Sequence, residues 1–256
     1  CGVHFMGETA KILCPDKKVL VPDLNAGCSL ADSCPATEFA EFVKQHPGHT
    51  VISYVNTTAA VKAVTDVVVT STNARQIVES FPEGTPMIFG PDRNLGNYIN
   101  SITGRNMLLW DGACHVHEQF SLEKILSLKK QYPNAEVITH PECKQPVIQV
   151  SDFVGSTAAL LKHTIKSDAK QFIVATESGV IHEMRKRSPD KEFIPAPPND
   201  STCACNECNF MRLNTMEKLY NCLKFEMPEI FVDEEVQKKA IKPIKKMLEI
   251  SEKLGL

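Results

Sequence analysis

Two residues that could move protons follow a short apolar run in the middle of the sequence. His140 and Glu142 come directly after residues 136–139, a run that is typical of a β-strand. A histidine with a glutamate beside it suits proton transfer near neutral pH, because imidazole titrates there. Two positions apart on an extended segment, both side chains would point to one face. The alternative interpretation is a salt bridge on the surface.

Cysteines in three separate places could hold a metal ion or a cluster. Cys28 and Cys114 each follow a short strand-like run, and a third group contains Cys203, Cys205 and Cys208. One thiolate from each place would leave one metal position open, because a closed cage needs four ligands. We favour a shared iron–sulfur cluster. Two alternatives stay open for the third group: a local zinc site, and a redox pair of Cys205 with Cys208.

The ten cysteines of this 256-residue chain also indicate its compartment. A disulfide framework is typical of short secreted chains, whereas this chain has ample apolar residues for a core and no signal segment. We therefore expect a reducing, cytoplasmic compartment. The remaining cysteines are interpreted as small buried apolar residues. They are Cys1, Cys14, Cys34, Cys143 and Cys222.

Charge and hydropathy exclude two classes of partner. The formal net charge is −3, from 28 Lys and Arg against 31 Asp and Glu. The chain therefore lacks the basic excess that phosphate contacts with a nucleic acid require. No apolar run approaches the roughly 18 residues that span a bilayer, which argues against a membrane. The length allows two domains or three small ones.

An internal repeat of 86 residues shows which elements must position these side chains. Four pairs of anchor residues share this spacing without a gap, and strands alternate with helices in both copies, which predicts parallel α/β units. The anchor pairs are Cys28 with Cys114, Pro47 with Pro133, Asp66 with Asp152, and Ser71 with Thr157.

The two copies differ in chemistry at equivalent positions. Tyr54 and Asn56 correspond to His140 and Glu142. Because ligands lie beyond the carboxyl ends of parallel strands, this difference indicates a duplicated scaffold with an asymmetric site.

Hydroxyl residues also recur where helices should begin. Residues 70–72 and 155–157 each precede a helix-like stretch, where serine and threonine cap the helix. Free backbone N–H groups at such starts bind carboxylate or phosphate, so we expect a small polyanionic ligand as well. His117 lies beside Cys114 and could face the same site.

Together these motifs resemble the quinolinate synthase family, also called the quinolinate synthetase A family. The resemblance covers the whole chain, and the order and spacing of the motifs make it specific. The segments that carry it are residues 1–10, 26–29, 54–57, 70–74, 90–92, 110–117, 140–143, 155–157, 175–179 and 205–211.

The resemblance implies an α/β fold of three pseudo-threefold-related, three-layer α/β domains with short parallel sheets, the first of them incomplete. Residues 1–27 would be a remnant of the first domain, 28–113 the second and 114–202 the third, with 203–256 returning to the first. The repeat would need 86 residues before Cys28 and 27 are present, so we expect an N-terminally truncated chain. In the last segment, Asp233 and the acids after it should start a helix, and Pro243 should bend or restart it.

The resemblance also implies a reaction. A quinolinate synthase is a transferase that condenses iminoaspartate with dihydroxyacetone phosphate to quinolinate, phosphate and water in the de novo biosynthesis of NAD. It carries a [4Fe–4S] cluster, whose ligands here would be Cys28, Cys114 and Cys208 and whose open iron would act as a Lewis acid in dehydration. The small-molecule substrates suggest a functional link to L-aspartate oxidase.

Carried over by position, the resemblance assigns roles to individual residues. Glu142 would be the acid/base group, with His140 and Tyr54 as further catalytic residues. The substrate-binding residues would be Tyr54, Asn56, Ser71, His140, Glu142 and Thr157, with Met6 and His117 lining the pocket.

One departure from the family pattern limits what this chain should do alone. The family's first domain contributes an early His-x-Tyr pair and a serine to the pocket, and the sequence has no such segment, so we expect the chain alone either to be inactive or not to fold by itself. The runner-up interpretation is a non-catalytic iron–sulfur or redox-sensing α/β module, which would not need His140 and Glu142 near its cluster. A third is an α/β binding protein with a structural zinc at residues 203–208.

Overall fold

The computed structural model describes residues 2–200 and 207–256, which divide into two compact units. Unit 1 consists of Cys1–Gly112 together with Asn209–Leu256, and unit 2 is Ala113–Cys208. Cys203 and Cys205, and with them the proposed local zinc site and redox pair, lie outside the described residues.

The strands and helices of the described residues alternate along most of the chain. The strands are β1 Thr50–Tyr54, β2 Val67–Val69, β3 Met87–Gly90, β4 Leu108–Leu109, β5 Glu136–Thr139, β6 Phe153–Val154, β7 Gln171–Ala175 and β8 Glu192–Pro195. The helices are α1 His4–Leu13, α2 Ser29–Asp32, α3 Ala36–Lys44, α4 Ala59–Lys62, α5 Ala74–Glu79, α6 Arg93–Thr103, α7 His115–Glu118, α8 Leu122–Gln131, α9 Gln145–Gln149, α10 Thr157–Lys166, α11 Val180–Arg187, α12 Asn209–Arg212, α13 Met216–Phe225 and α14 Glu234–Lys253.

Each unit is built on one parallel sheet of four short strands. The strand order is β2-β1-β3-β4 in unit 1 and β6-β5-β7-β8 in unit 2, and every pairing within these sheets is parallel. Both orders are the same when counted from the first strand of each unit. The α/β class with short parallel sheets is therefore confirmed, whereas the pseudo-threefold arrangement stays a prediction.

The repeat extends to individual hydrogen bonds. The backbone N–H of Val51 donates to Asp66 Oδ2 over 2.8 Å, and the N–H of Val137 donates to Asp152 Oδ2 over the same distance. Both residues of the second pair lie 86 positions after those of the first (137 − 51 and 152 − 66). In each unit this bond ties the first strand to the start of its neighbour.

A pair of hydroxyl groups repeats in the same way inside each sheet. Ser53 Oγ lies 2.7 Å from Thr65 Oγ1, and Thr139 Oγ1 lies 2.6 Å from Ser151 Oγ. Polar atoms buried beneath a sheet need such partners, because an unpaired buried group costs about 1–3 kcal/mol. The strands that precede the site residues, β1 with Tyr54 and β5 before His140, are thus held by equivalent hydroxyl–hydroxyl hydrogen bonds.

The sheet of unit 2 is covered on both faces, as its strand sequences predict. Val137 and Ile173 pack in one buried cluster, whereas their neighbours Ile138 and Val174 pack in another. Successive strand residues point to opposite faces, so continuous apolar runs indicate a sheet with two buried faces.

The long helix α14 closes one side of unit 1. Asp233 caps it by accepting hydrogen bonds from two backbone N–H groups of the first turn, as the acidic start predicts. Ala240 and Ile244 pack against Val68 of β2. Of the two effects expected of Pro243, the restart does not occur, because α14 is continuous from Glu234 to Lys253, and the bend stays a prediction.

The strand-like run that precedes Cys28, residues 19–21, does not form a strand of either sheet. The run at residues 19–21 makes only a bridge, between Leu20 and Glu229, with Ile230 N donating to Val19 O. The facing segment contains Pro228, which has no N–H, so the ladder cannot extend in that direction.

Within the described residues, none of the helices combines the length and the apolar character that crossing a bilayer requires.

Candidate active site

His140 and Glu142 lie in a tight turn at the carboxyl end of β5. His140 N donates to Ala175 O, and Cys143 N donates back to His140 O over 3.0 Å. The extended geometry expected for this segment is therefore wrong. The turn nonetheless brings the two side chains together, with His140 Nδ1 at 3.6 Å from Glu142 Oε1.

Burial fixes the protonation of His140. The ring is 3% exposed, and this burial lowers its pKa to about 4, against a smaller opposing effect of the Glu142 carboxylate. The backbone N–H of Glu142 donates to His140 Nδ1 over 3.3 Å. Near neutral pH the imidazole is thus uncharged, and its proton resides on Nε2, from which it can donate a hydrogen bond.

The Glu142 carboxylate lies between two histidine rings. Its Oε2 is 3.2 Å from His117 Nδ1, and the rings of His117 and His140 stack with centroids 4.9 Å apart. Glu142 itself is 3% exposed. The alternative of a surface salt bridge is therefore wrong, because all three side chains are buried.

The turn of helix that begins after Cys114 places His117 in this group. Its Nε2 lies 3.1 Å from the hydroxyl of Thr176, which follows β7. Within the described part of the chain, its Nδ1 is buried and makes no hydrogen bond. Thr176 was not assigned a role by sequence analysis, because its partner lies 59 residues away.

Cys114 completes a group that could hold a metal ion. Its Sγ, a ring nitrogen of His117 and a carboxylate oxygen of Glu142 all lie within 4.8 Å of one another. Cys114 is half-buried and borders the same apolar cluster as Cys208. Two of the three predicted cluster ligands therefore lie at the edge of one core.

Glu177 holds the backbone at Cys208 in place. Its Oε1 accepts from Cys208 N over 3.3 Å, and its Oε2 accepts from Gly179 N over 2.8 Å. Glu177 lies in the family segment at residues 175–179, and the sequence alone does not connect it with Cys208.

The predicted residues of unit 1 are distributed around the end of β1. Tyr54 is the last residue of the strand and is buried, and Asn56 lies half-buried in the loop that follows. Cys28 lies at the start of α2, half-buried, against an apolar cluster that includes Phe5. Met6, on α1, is 49% exposed.

Lys62 is a functional candidate of unit 1 that sequence analysis missed. Its side chain is fully buried, and Nζ donates to the carbonyl oxygens of Val55 and Thr57. Burial lowers its pKa to about 7, against smaller opposing effects of Glu8 and Cys28. Lys62 thus fixes both ends of the loop that carries Asn56.

The two hydroxyl segments differ in what they cap. Ser156 accepts from Ala159 N at the start of α10, with Thr157 exposed as the first helical residue, as expected. Ser71 lies instead in a turn, because α5 begins at Ala74 and Asn73 Oδ1 accepts from Thr70 N and Oγ1. The expectation of a helix start at residues 70–72 is therefore wrong by two positions.

The other cysteines largely match the expectation of small buried residues. Cys34, Cys143 and Cys222 are buried, and Cys14 is half-buried. Burial raises the pKa of Cys34 to about 12, so its thiol stays protonated and unreactive. Cys1 lies outside the described residues.

Comparison with known proteins identifies the family of this chain. The family model described as quinolinate synthetase A protein (NadA) matches residues 1–249. A quinolinate synthase of Thermosynechococcus vestitus is 58% identical over 250 residues, which are 98% of this chain and 78% of that protein. Quinolinate synthases of Chloroherpeton thalassium and a Synechocystis strain are each 57% identical, over the same shares. The chain therefore belongs to the quinolinate synthetase A protein family.

Proposed function

We propose that this protein makes quinolinate by condensing iminoaspartate with dihydroxyacetone phosphate, with release of phosphate and water. The observation that carries the proposal is the buried Glu142 carboxylate between His117 and His140 at the end of a strand. A buried carboxylate beside two imidazoles is suited to accept and return protons, which the ring closure of such a condensation needs.

The donor set fits the [4Fe–4S] cluster of the family. Cys28, Cys114 and Cys208 are half-buried thiols, neither locked in a core like Cys34 and Cys143 nor fully exposed. We propose that these three hold the cluster, which when bound supplies an iron without a protein ligand as a Lewis acid for dehydration. The division into three domains, with residues 28–113 and 114–202 as the second and third, is part of the same proposal.

His140 would orient a substrate carboxylate rather than carry charge. Its neutral ring offers Nε2–H as a donor, because Nδ1 already accepts from Glu142 N. A neutral donor binds a carboxylate without giving up a proton, so proton transfer falls to Glu142. His117, held by Thr176, would line the pocket beside the Glu142 carboxylate.

The residues of unit 1 would hold the remaining anionic groups. Tyr54, Asn56 and Ser71 carry hydroxyl and amide donors suited to carboxylate and phosphate, and Lys62 fixes the loop of Asn56 through two carbonyl groups. In unit 2, Thr157 would add the free N–H groups at the start of α10. Met6 is proposed as an apolar wall of the pocket. With iminoaspartate as a substrate, we also propose a functional link to L-aspartate oxidase and a cytoplasmic location.

The test compares Glu142, in the turn after β5, with Glu136, at the start of β5. Glu142→Gln removes the proton acceptor, and Glu136→Gln changes a glutamate at the opposite end of β5 that pairs with His163. In full-length protein reconstituted anaerobically with iron and sulfide, Glu142→Gln should keep the cluster absorbance and lose quinolinate formation. Glu136→Gln should keep both.

Two results would contradict the proposal. Turnover that persists in Glu142→Gln would remove this carboxylate from the mechanism. A non-catalytic iron–sulfur module would be favoured instead if reconstituted wild-type protein held its cluster by four protein ligands and formed no quinolinate.

A further inference from the structure

Three ligand atoms of different chemistry lie close together in unit 2. They are the Cys114 thiol sulfur, a ring nitrogen of His117 and a carboxylate oxygen of Glu142, all within 4.8 Å of one another. We propose that, in protein that carries no iron–sulfur cluster, these three side chains bind a single Zn²⁺ ion and leave its fourth position open.

The orientation of His117 provides independent support. When Nε2 carries the proton and donates to Thr176 Oγ1, at 3.1 Å, Nδ1 presents a lone pair. Among the described residues this buried Nδ1 has no hydrogen bond, although it lies 3.2 Å from Glu142 Oε2. A lone pair and a carboxylate oxygen at that distance repel one another unless a proton or a cation lies between them.

The spacing of the three atoms suits tetrahedral zinc. Zinc binds sulfur at about 2.3 Å and nitrogen or oxygen at about 2.0–2.2 Å, so its ligand atoms lie about 3.3–3.8 Å apart. The His117–Glu142 separation of 3.2 Å already matches. The two separations that involve Cys114 Sγ are at most 4.8 Å, so they need to shorten by at most about 1.5 Å, through a change of the half-buried Cys114 rotamer.

The mixture of donors selects the kind of ion. Thiolate, imidazole and carboxylate together favour a borderline ion such as Zn²⁺ or Co²⁺, whereas Mg²⁺ and Ca²⁺ prefer oxygen ligands only. Three protein ligands with one open position resemble the donor count of catalytic rather than structural zinc sites. Binding would also release the Cys114 proton, so zinc affinity should rise with pH.

Competition with the cluster follows, and this part rests on the proposed function. Cys114 cannot serve a zinc ion and an iron–sulfur cluster at the same time, and zinc would also occupy the Glu142 carboxylate. Zinc-loaded protein should therefore resist assembly of the cluster.

The experiment measures zinc in protein freed of metal by a chelator under reducing, anaerobic conditions. Zinc chloride is added, unbound metal is removed by gel filtration, and bound zinc is measured by mass spectrometry. Wild type should retain one zinc per chain. With cobalt chloride it should show a thiolate-to-cobalt charge-transfer band and the strong visible bands of four-coordinate cobalt. Magnesium chloride should not displace either ion.

Variants separate the zinc ligands from the proposed cluster ligands. Glu142→Gln and His117→Phe should lose the zinc yet still take up iron and sulfide. Cys208→Ser should keep the zinc and lose the cluster, and Cys114→Ser should lose both. Circular dichroism confirms that each variant is folded, and in wild type one equivalent of zinc should reduce iron incorporation.

Each possible failure has a distinct meaning. Zinc that persists in Glu142→Gln and His117→Phe would overturn the proposal, as would zinc binding without a defined stoichiometry. Loss of zinc in Cys208→Ser would also overturn it, because the ion would then belong to the cysteine group at residues 203–208. If the zinc pattern holds but no variant, nor wild type, assembles a cluster, the zinc site is supported and the proposed function alone fails.

Discussion

The backbone N–H of Glu142 donates a hydrogen bond to Nδ1 of His140 across 3.3 Å. This bond determines which ring nitrogen carries the proton, and burial keeps the ring uncharged near neutral pH. The same turn thus positions the carboxylate and sets the chemistry of the imidazole that precedes it. A histidine prepared in this way donates a hydrogen bond without acting as an acid.

The low pKa of His140 should make the protein lose stability on acidification. Its pKa is about 4 in the folded protein against 6.5 ordinarily, so the unfolded chain binds more protons between these values. The free energy of unfolding should fall by up to about 2 kcal/mol between pH 7 and pH 5 on account of this group. Urea titrations at both pH values measure it.

His140→Gln is the matched variant for this measurement. It removes the titrating ring, so the difference in stability between pH 7 and pH 5 should shrink relative to wild type. His182→Gln, which alters an exposed side chain of α11, controls for the loss of a histidine. An unchanged difference in His140→Gln would show that His140 does not titrate as its burial requires.

The low pKa of Lys62 should make the protein more stable as the pH rises above 7. Its pKa is about 7 in the folded protein and 10.5 ordinarily, so the unfolded chain binds more protons across this window. The free energy of unfolding should rise between pH 7 and pH 9, by up to about 2–3 kcal/mol. Lys62→Met should remove the rise, whereas Lys44→Met, at an exposed position of α3, should not. A rise that persists in Lys62→Met would contradict a neutral buried amine.

Glu177 should control how well Cys208 is positioned. Glu177→Ala removes the acceptor of the Cys208 and Gly179 backbone N–H groups and should cost about 1–3 kcal/mol, since bonds to a charged group are among the stronger ones. Iron and sulfide incorporation should fall with it, and Glu177→Gln should recover part of both. Glu183→Ala, on the exposed surface of α11, is the control. Normal cluster content in Glu177→Ala would leave Glu177 with a purely structural role.

The strands were predictable because the repeat presents each of them twice. β5 begins and ends where the sequence predicts, at Glu136–Thr139. Prediction failed where a distant segment decides the outcome. The run at residues 19–21 faces Pro228, which cannot extend a ladder, and α14, which packs against β2, does not restart at Pro243.

The sequence predicts only those site residues that directly follow a recognisable strand. His140 and Glu142 stand out because a strand precedes them, whereas Thr176 and Glu177 act through partners that are distant in the sequence. Lys62 carried a usable signal. Its equivalent 86 residues later is Ile148, and a lysine that replaces an aliphatic residue of a repeat indicates a buried polar role.

Asp66 and Asp152 occupy equivalent positions of the repeat, so the stability contributions of their hydrogen bonds can be compared. Asp66→Ala and Asp152→Ala each remove a carboxylate that accepts a strand N–H, and each should lower stability by about 1 kcal/mol, because both side chains reach solvent. Asp152 also pairs with Lys129 Nζ at 2.7 Å, a pair that salt weakens. The cost of Asp152→Ala should therefore fall at high salt, while that of Asp66→Ala should change less. Asp190→Ala removes a carboxylate whose ion pair with Lys170 is exposed and should have little effect. If the stability costs of Asp66→Ala and Asp152→Ala depended equally on salt, the ion pair of Asp152 with Lys129 would contribute nothing to stability.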